Sequence, residues 1–383
     1  MSAEDLGRRL LREVEEDGLD EILYSLKALS HAGVSPYFGI QALDTLLPFR
    51  EQGVIPQAQP QPPVEPWSSS AADRPLPDVS ARNIISKGPF IEFISAGSGG
   101  GKTHLLYYMT TLAILPRTHR GMVLNGKGGA VVVLDTDCRF DIQRLTEVMS
   151  HYVISQLESS FSFSQPVNGA QFSTTGKSKV IHDLIQSSLS HIHIFRPWSH
   201  TSLLSTVSSL PMYLFHSTSH ASINRPLHSI ILDSASAFFW QTRTEEDTAR
   251  LSESRALSTN EVYAALARQL TDLSRTFSCT IVTTSWSLSS TSHTAQGAQS
   301  MRSSLTSSWS LLPTLRFGVR RIPVTPFPEA TSIEGALAEK GRRASAINVE
   351  KFEAWKLGSS SGERLGFIIT KAGVNMGVER EDI

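Results

Sequence analysis

The sequence predicts an α/β domain with a mostly parallel central sheet, and three stretches carry that expectation. The first is Ala96-Gly97-Ser98-Gly99-Gly100-Gly101-Lys102-Thr103, a glycine-rich loop ending in Gly-Lys-Thr. The apolar run Phe90-Ile91-Glu92-Phe93-Ile94 precedes it, and a helix-like run from His104 to Met109 follows. The second is Ala130-Val131-Val132-Val133-Leu134, which ends in Asp135-Thr136-Asp137. A strand that is apolar on both faces belongs inside a sheet with helices on each side. The third is Ser229-Ile230-Ile231-Leu232-Asp233-Ser234, an apolar strand that delivers one carboxylate at its end. Apolar strands alternating with helical periodicity make an α/β sandwich.

A strand, a glycine-rich loop ending in Gly-Lys-Thr and a helix, in that order, form a nucleoside triphosphate site. Glycines let the backbone curl so that several N–H groups point at one anion, and the helix adds its positive N-terminal end. Ala96 through Thr103 are thus the candidate nucleotide-binding residues: Ala96, Gly97, Ser98, Gly99, Gly100, Gly101, Lys102 and Thr103. Lys102 is expected to reach the terminal phosphates, and the Thr103 hydroxyl to hold Mg2+. The usual pattern opens with glycine where this chain has Ala96, but the four small residues that follow still permit closure. Asp233 follows the loop by about 130 residues within a βα repeat and is the candidate second magnesium residue.

The chain has 383 residues, enough for one large core or two modest ones. With 35 basic and 36 acidic residues its overall charge does not announce nucleic acid, so any DNA contact must come from local clusters. Cys138 and Cys279 have no metal-ligand spacing and are expected to be small buried hydrophobes in a reducing compartment. No stretch approaches the roughly 20 apolar residues of a membrane span, and the acidic start Met1-Ser2-Ala3-Glu4-Asp5 lacks a signal-peptide core. A soluble intracellular protein with no membrane partner is expected.

In chain order, Leu6, Leu10, Leu11 and Val14, then Leu19, Ile22, Leu23 and Leu26, recur at helical spacing, so residues 1–50 read as a helical N-terminal segment. Residues 51–82 are rich in Pro, Gln and Ser and read as a flexible linker. The core is expected over 83–383. Its first helix stops at Pro116, and residues 141–154 resume helical periodicity. His191-Ile192-His193-Ile194-Phe195 is a strand. Its histidines could be metal ligands, but no Cys or carboxylate lies near, and His193 is expected on a half-buried face. A helix from Ser202 to Phe215 should break near Pro211. A long helix spans Asn260 to Thr276, and Cys279 to Thr284 is a buried strand. Residues 314–321 alternate like a strand, and Ala346 to Phe352 and Leu365 to Thr370 close the domain as antiparallel strands. Stretches near 155–178, 285–310 and 326–345 are Ser-, Thr-, Gln- or Gly-rich and are expected to be loop inserts.

The loop and the Leu-Asp-Thr-Asp and Leu-Asp-Ser strand ends together resemble the RecA-like recombinases of eukaryotes. The likeness is sharpest to their recombinase paralogues, through Leu105-Leu106-Tyr107, Asp135-Thr136-Asp137 with Phe140-Asp141 and Arg144-Leu145, Leu232 to Trp240, and Phe367-Ile368-Ile369 with Ala372-Gly373-Val374. It covers most of 83–383. The resemblance implies a RecA-like P-loop NTPase core, ATP with Mg2+ as cofactor, and a nuclear role in homologous recombination. It also implies a complex with other recombinase paralogues, the D-type paralogue in particular, acting on single-stranded or branched DNA. By that resemblance Lys102 and Thr103 take the phosphate and magnesium roles and Asp233 the second magnesium role. Asp137 stands where active recombinases carry a Glu that polarises water, and Ser285 where they carry a phosphate-sensing Gln. A carboxylate one methylene shorter moves by roughly an ångström, which can cost about a hundredfold in rate. These departures weaken the case for hydrolysis and for autonomous filaments while leaving nucleotide binding in place.

Family DNA loops would correspond to Trp240–Arg255 and Ser285–Ser310. The first mixes arginines with carboxylates, and in the second only Arg302 is charged, so neither is a basic funnel. Trp286 and Trp309 read as packing residues. Arg302, Arg316, Arg320 and Arg321 are the candidate DNA-binding side chains, with Lys340 to Arg343 beside them in the best basic patch. Three alternatives remain: an active DNA-dependent ATPase, a nucleotide-independent scaffold, and a small-molecule kinase, for which no arginine-bearing lid stands out.

Overall fold

A computed structural model describes residues 37–45, 88–163, 174–216, 218–252, 257–287, 301–323, 327, 330–348, 350–358 and 364–377. Phe38–Glu65 and Ser86–Ile383 form one compact unit; the other, Met1–Tyr37 with Pro66–Ile85, lies outside the described residues except for Tyr37. The helical spacing read from Leu6 to Leu26 and the linker 51–82 also lie outside them.

The domain is laid on β1 (Phe90–Ser95), all six residues of which are buried. It pairs in parallel with β7 (Thr280–Trp286) on one side and β8 (Leu315–Arg321) on the other. From β7 the parallel sheet continues through β6 (Leu227–Asp233) and β4 (Ala130–Asp135) to β5 (Ile192–Phe195). From β8 it turns antiparallel through β9 (Glu350–Lys356), β10 (Arg364–Ile369) and β11 (Val374–Met376). The nine-stranded order is therefore β11-β10-β9-β8-β1-β7-β6-β4-β5, with a separate hairpin of β2 (Thr118–His119) and β3 (Met122–Val123). The parallel core with an antiparallel end is the architecture expected from the sequence; β2, β3 and β11 are too short to have shown there.

Val132, Leu134, Ile230, Leu232 and Ile281 face a core shared with α5 (His200–Phe215) and α7 (Thr259–Phe277). Because side chains alternate along a strand, the equally buried Val131, Val133 and Ile231 face the other side. There α2 (Lys102–Ile114) runs along β1, β4 and β6 and meets α3 (Ile142–Phe163). The start of α7 is fixed by a reciprocal cap. Ser258 Oγ accepts from the Glu261 N–H at 3.2 Å, and the Glu261 carboxylate accepts from the Ser258 N–H at 2.8 Å.

Several expected loops are helical. The insert near 155–178 is entered from one side by α3 and from the other by α4 (Thr174–Leu189). Its serines are compatible with a helix because they bond back to earlier carbonyls, as Ser159 Oγ does to Ser155 O at 2.9 Å. Residues 239–251, placed in a DNA loop, form α6 (Phe239–Leu251), whose charges pair one turn apart, as Arg243 with Asp247 at 3.7 Å. The insert near 326–345 contains α9 (Ile333–Asn348), which carries four Ala together with Glu and Arg and is opened by Ser332 Oγ accepting from the Gly335 N–H at 3.1 Å. That helix displaces the next strand, β9, to begin at Glu350. Helix α5 runs through Pro211 without a break; near the helix end the ring removes a single backbone bond.

The segment beyond β7 also differs from a loop. Ser287 bridges to Ser303, and α8 (Ser307–Ser310) plants Trp309 in the core at 0% exposure. The indole sits edge-on to Phe90 at 5.8 Å and to Tyr263 at 5.9 Å. Residues 38–45, read from sequence as part of the N-terminal segment, pack on the sheet domain through buried Phe38, Ile40 and Leu43, with α1 (Gln41–Asp44) among them. Of the two cysteines Cys279 is buried as expected, whereas Cys138 is exposed.

Trp309→Ala should destabilise the domain by about 3–5 kcal/mol in urea unfolding, because the cavity is enclosed on all sides; Trp309→Phe should recover most of the loss.

Candidate functional site

At the end of β1 the chain turns through Ala96 to Gly101 and enters α2 at Lys102. Gly99 and Gly101 have φ of +76° and +88°, where a side chain is strained. A Cβ on Gly101 would also lie 2.8 Å from the Phe352 ring of β9. Ala96 stands outside the left-handed region, which explains why glycine is not required there. Lys102 is buried; its ammonium donates to Ser95 Oγ, which donates onward to the Gly97 carbonyl at 2.6 Å. Burial pushes the Lys102 pKa down to about 8, against the pull of Asp233 and then Asp137.

Asp233 reaches the head of this loop from β6. Thr103 Oγ1 donates to its Oδ2 at 3.0 Å, and the Thr284 hydroxyl of β7 donates to its Oδ1. Burial raises the Asp233 pKa, while the two hydroxyls and Lys102 oppose the rise. Asp135, in register beside Asp233 on β4, is turned away from the loop. It accepts from the Arg139 and Phe140 N–H groups at 3.0 and 3.1 Å and from Arg196 Nε at 3.2 Å. Asp137 stands on the wall of the same cleft, its pKa raised by burial and then by Asp233, with Arg139 opposing. The cleft holds about 430 Å³.

The residues fit the two groups expected from the sequence. A curled loop with a buried ammonium suits a polyphosphate. A threonine hydroxyl 3.0 Å from a carboxylate supplies the hard oxygen donors that Mg2+ takes. Lys102, Thr103, Asp137 and Asp233 are thus brought together with Ser98, Gly99, Gly100 and Gly101.

Other side chains of the cleft escaped the sequence reading. His104, Tyr107, Arg139, Asp141, Arg144 and Trp286 line it, together with Ser234 and Thr284. Helical spacing was the available signal for Tyr107, one turn after Thr103; its hydroxyl accepts from the Asp141 N–H at 2.8 Å. Trp286 is 47% exposed on the cleft wall rather than packed in the interior. Ser285 points the other way: its hydroxyl donates to Glu92 Oε1 at 2.7 Å, and both residues are fully buried. Glu92 also accepts from Trp309 Nε1 at 3.2 Å and Arg316 Nε at 3.0 Å. A lone carboxylate inside an apolar strand was the sequence signal for this cluster.

Three of the four arginines proposed for DNA have carboxylate partners within the chain. Arg316 pairs with Glu92, and Arg321 lies 3.6 Å from Glu350. Arg320 Nε donates to Glu353 at 2.6 Å while Arg364 spans both Glu353 oxygens at 2.7 Å. Burial pushes Glu353 up, but the hydrogen bonds from Arg364 and Arg320 prevail and hold it below the usual range. Arg302 is exposed. None of these four lines the cleft.

His193 is not on a half-buried face. It is 6% exposed, with ring contacts to Tyr213 and His220, and burial, then His220 and His191, lower its pKa to about 4. Among the described residues no group of His, Cys, Asp or Glu is placed to hold a metal by itself, and no helix is long and apolar enough to cross a membrane.

Two comparisons bear on this geometry. Residues 173–316, from the position before α4 to the second residue of β8, match the family model of the Shu complex component Psy3, whose description is DNA-binding. The DNA repair protein XRCC2 homolog of Arabidopsis thaliana is 26% identical over 204 residues, covering 50% of this chain and 52% of that protein. Both likenesses are to an XRCC2-like RecA paralogue. It spans about half the length of the curated relative it matches. The nine-stranded sheet with its parallel core is that expected of a RecA-like domain, and β5, β6 and β7 all lie within the stretch that matches Psy3.

Because the folded state holds Glu353 below its ordinary pKa, its contribution is present above the unfolded value and lost as pH falls through the folded one. Acid unfolding below about pH 4.5 should therefore include a Glu353 component that Glu353→Gln removes. At pH 7 that substitution should cost about 3 kcal/mol by leaving two arginines unneutralised.

Proposed function

We propose that this chain is a recombinase-paralogue subunit that binds Mg-ATP and serves double-strand break repair by homologous recombination. It acts in the nucleus as a mediator within a complex of paralogues, the D-type paralogue foremost. It meets single-stranded or branched DNA mainly through that complex. The observation that carries the nucleotide part is the Asp233 carboxylate held 3.0 Å from the Thr103 hydroxyl, with the Lys102 ammonium buried in the adjoining loop. The repair part is supported by the likeness to the XRCC2 homolog and to Psy3. Weak DNA contact by the chain alone is supported by the internal pairing of Arg316, Arg320 and Arg321, which leaves Arg302 as the one of the four without a carboxylate partner among the described residues.

Weak hydrolysis by the isolated chain follows from the same site. Asp137 is the short carboxylate, and a displacement of roughly an ångström can cost about a hundredfold in rate. Ser285 is bonded to Glu92 and turned from the cleft.

At about a hundredfold over its Kd, Mg-ATP should stabilise the chain by roughly 2.7 kcal/mol in thermal unfolding. Lys102→Ala should abolish that shift, and Asp233→Asn should remove its dependence on magnesium. No shift for the unsubstituted chain, alone or with its partners, would favour the nucleotide-independent scaffold. Brisk steady-state phosphate release from the isolated chain would contradict the reading of its chemistry.

Affinity for Mg-ATP should also fall with pH. Lys102 must be charged to meet phosphate, and burial lowers its free pKa to about 8. Above that value each pH unit should weaken binding about tenfold in isothermal titration until the amine of the complex also titrates. Lys102→Ala should flatten the profile. In stability the sign is opposite: a charged Lys102 disfavours the fold, and that cost is relieved as pH rises from about 8 toward 10.5.

A further inference from the structure

Helix α9 presents an apolar face that the nucleotide site does not use. Ile333 and Leu337, one turn apart, are 76% and 63% exposed, and Phe327 beside them is 43% exposed. With Ala336, Lys340 and Arg343 they line a groove of about 480 Å³. Positions 333, 336, 337, 340 and 343 recur along one side of a helix. The Arg343 guanidinium lies 3.6 Å over the Phe327 ring and pairs with Glu339 at 3.1 Å, so it forms a fixed wall of the groove. Lys340 is exposed, and among the described residues it makes no ion pair.

We propose that this face of α9 docks an amphipathic helix of a partner subunit, one that sets apolar side chains between Ile333, Leu337 and Phe327 and an acidic side chain opposite Lys340. The inference rests on the reading of the chain as a member of a complex. Charge selects the partner's chemistry. Lys340 and Arg343 stand on the apolar stripe, whereas Glu334 and Glu339 fall on the helix flanks by their spacing. An apolar groove with a lysine in its middle suits helix-in-groove recognition with an opposing carboxylate. It does not suit nucleic acid, which needs several cations tracking a backbone and rings for stacking.

Area argues for a partner rather than a second copy of this chain. Sixteen helical residues extend only about 24 Å. One such stripe against another helix falls short of the roughly 1,200 Å² that a stable interface buries. A contact this small holds when the same two chains already meet elsewhere, because the second contact then forms at high effective concentration. Two copies meeting through α9 alone lack that help.

The test uses the full chain, carrying a photoreactive phenylalanine analogue at position 337, in cells that normally make it. The expected product is a cross-link to a different polypeptide, mapped by mass spectrometry to an amphipathic helix bearing Asp or Glu. Lys340→Glu should cut its yield about tenfold, and reversing the mapped acidic residue to Lys should restore it. Neither change should alter the melting temperature of the purified chain or its Mg-ATP shift. Cross-links confined to this chain, to a second copy or to nucleic acid would overturn the proposal, as would a product indifferent to Lys340→Glu. Co-purification of paralogues without any cross-link at 337 would sink the surface and leave the complex standing. Absence of any co-purifying paralogue would remove the complex reading and the docking face with it.

Discussion

A buried carboxylate is costly unless both oxygens find donors, and Asp233 finds one donor on each side. One is Thr103, in the first turn of α2; the other is Thr284, near the end of β7. These residues lie about 130 and 51 positions away in the chain, so satisfying one side chain fixes three distant elements against each other. The consequence reaches the whole cleft. With β6 and β7 adjacent and parallel, the carboxylate faces the glycine loop directly.

The same device recurs across the sheet. Glu92, in the middle of β1, gathers Ser285 from β7, Trp309 from α8 and Arg316 from β8. Glu353, on β9, gathers Arg320 from β8 and Arg364 from β10. Each of these carboxylates joins elements that are separate in sequence, and each meets nearly ideal donor geometry, the condition under which a buried charge is tolerated. Glu92 also explains why the residue after Thr284 does not face the cleft. Strand alternation turns Ser285 inward to the carboxylate and leaves the wall to Trp286.

How much of this could be read in advance follows from what each segment depends on. The strands β1, β4, β6 and β7 are buried on both faces, so their apolar runs announce themselves without knowledge of their neighbours. The loop was legible because its chemistry is local: glycine freedom, one lysine and one threonine in consecutive order. Asp233 was legible as a strand end, although its two hydroxyl partners were not both foreseen. Segments whose order comes from tertiary contacts were missed. Trp309 looked like part of a serine-rich loop because its partners Phe90 and Tyr263 are remote in sequence. Helix α6 looked like a loop because its support is charge pairing between successive turns rather than an apolar stripe. The arginines looked like a surface patch because the carboxylates that neutralise them come from other strands.

Phe352 lies directly beneath Gly101, so the floor of the phosphate loop is laid some 250 positions after the loop itself. The sheet edge that holds Phe352 in place needs Arg364 to grip Glu353. A premature stop codon between β8 and β9 would leave every loop residue encoded, yet withdraw the support on which their curvature rests. Alleles truncated near the carboxyl terminus would then behave like lesions of the loop, although no codon between Ala96 and Thr103 had changed.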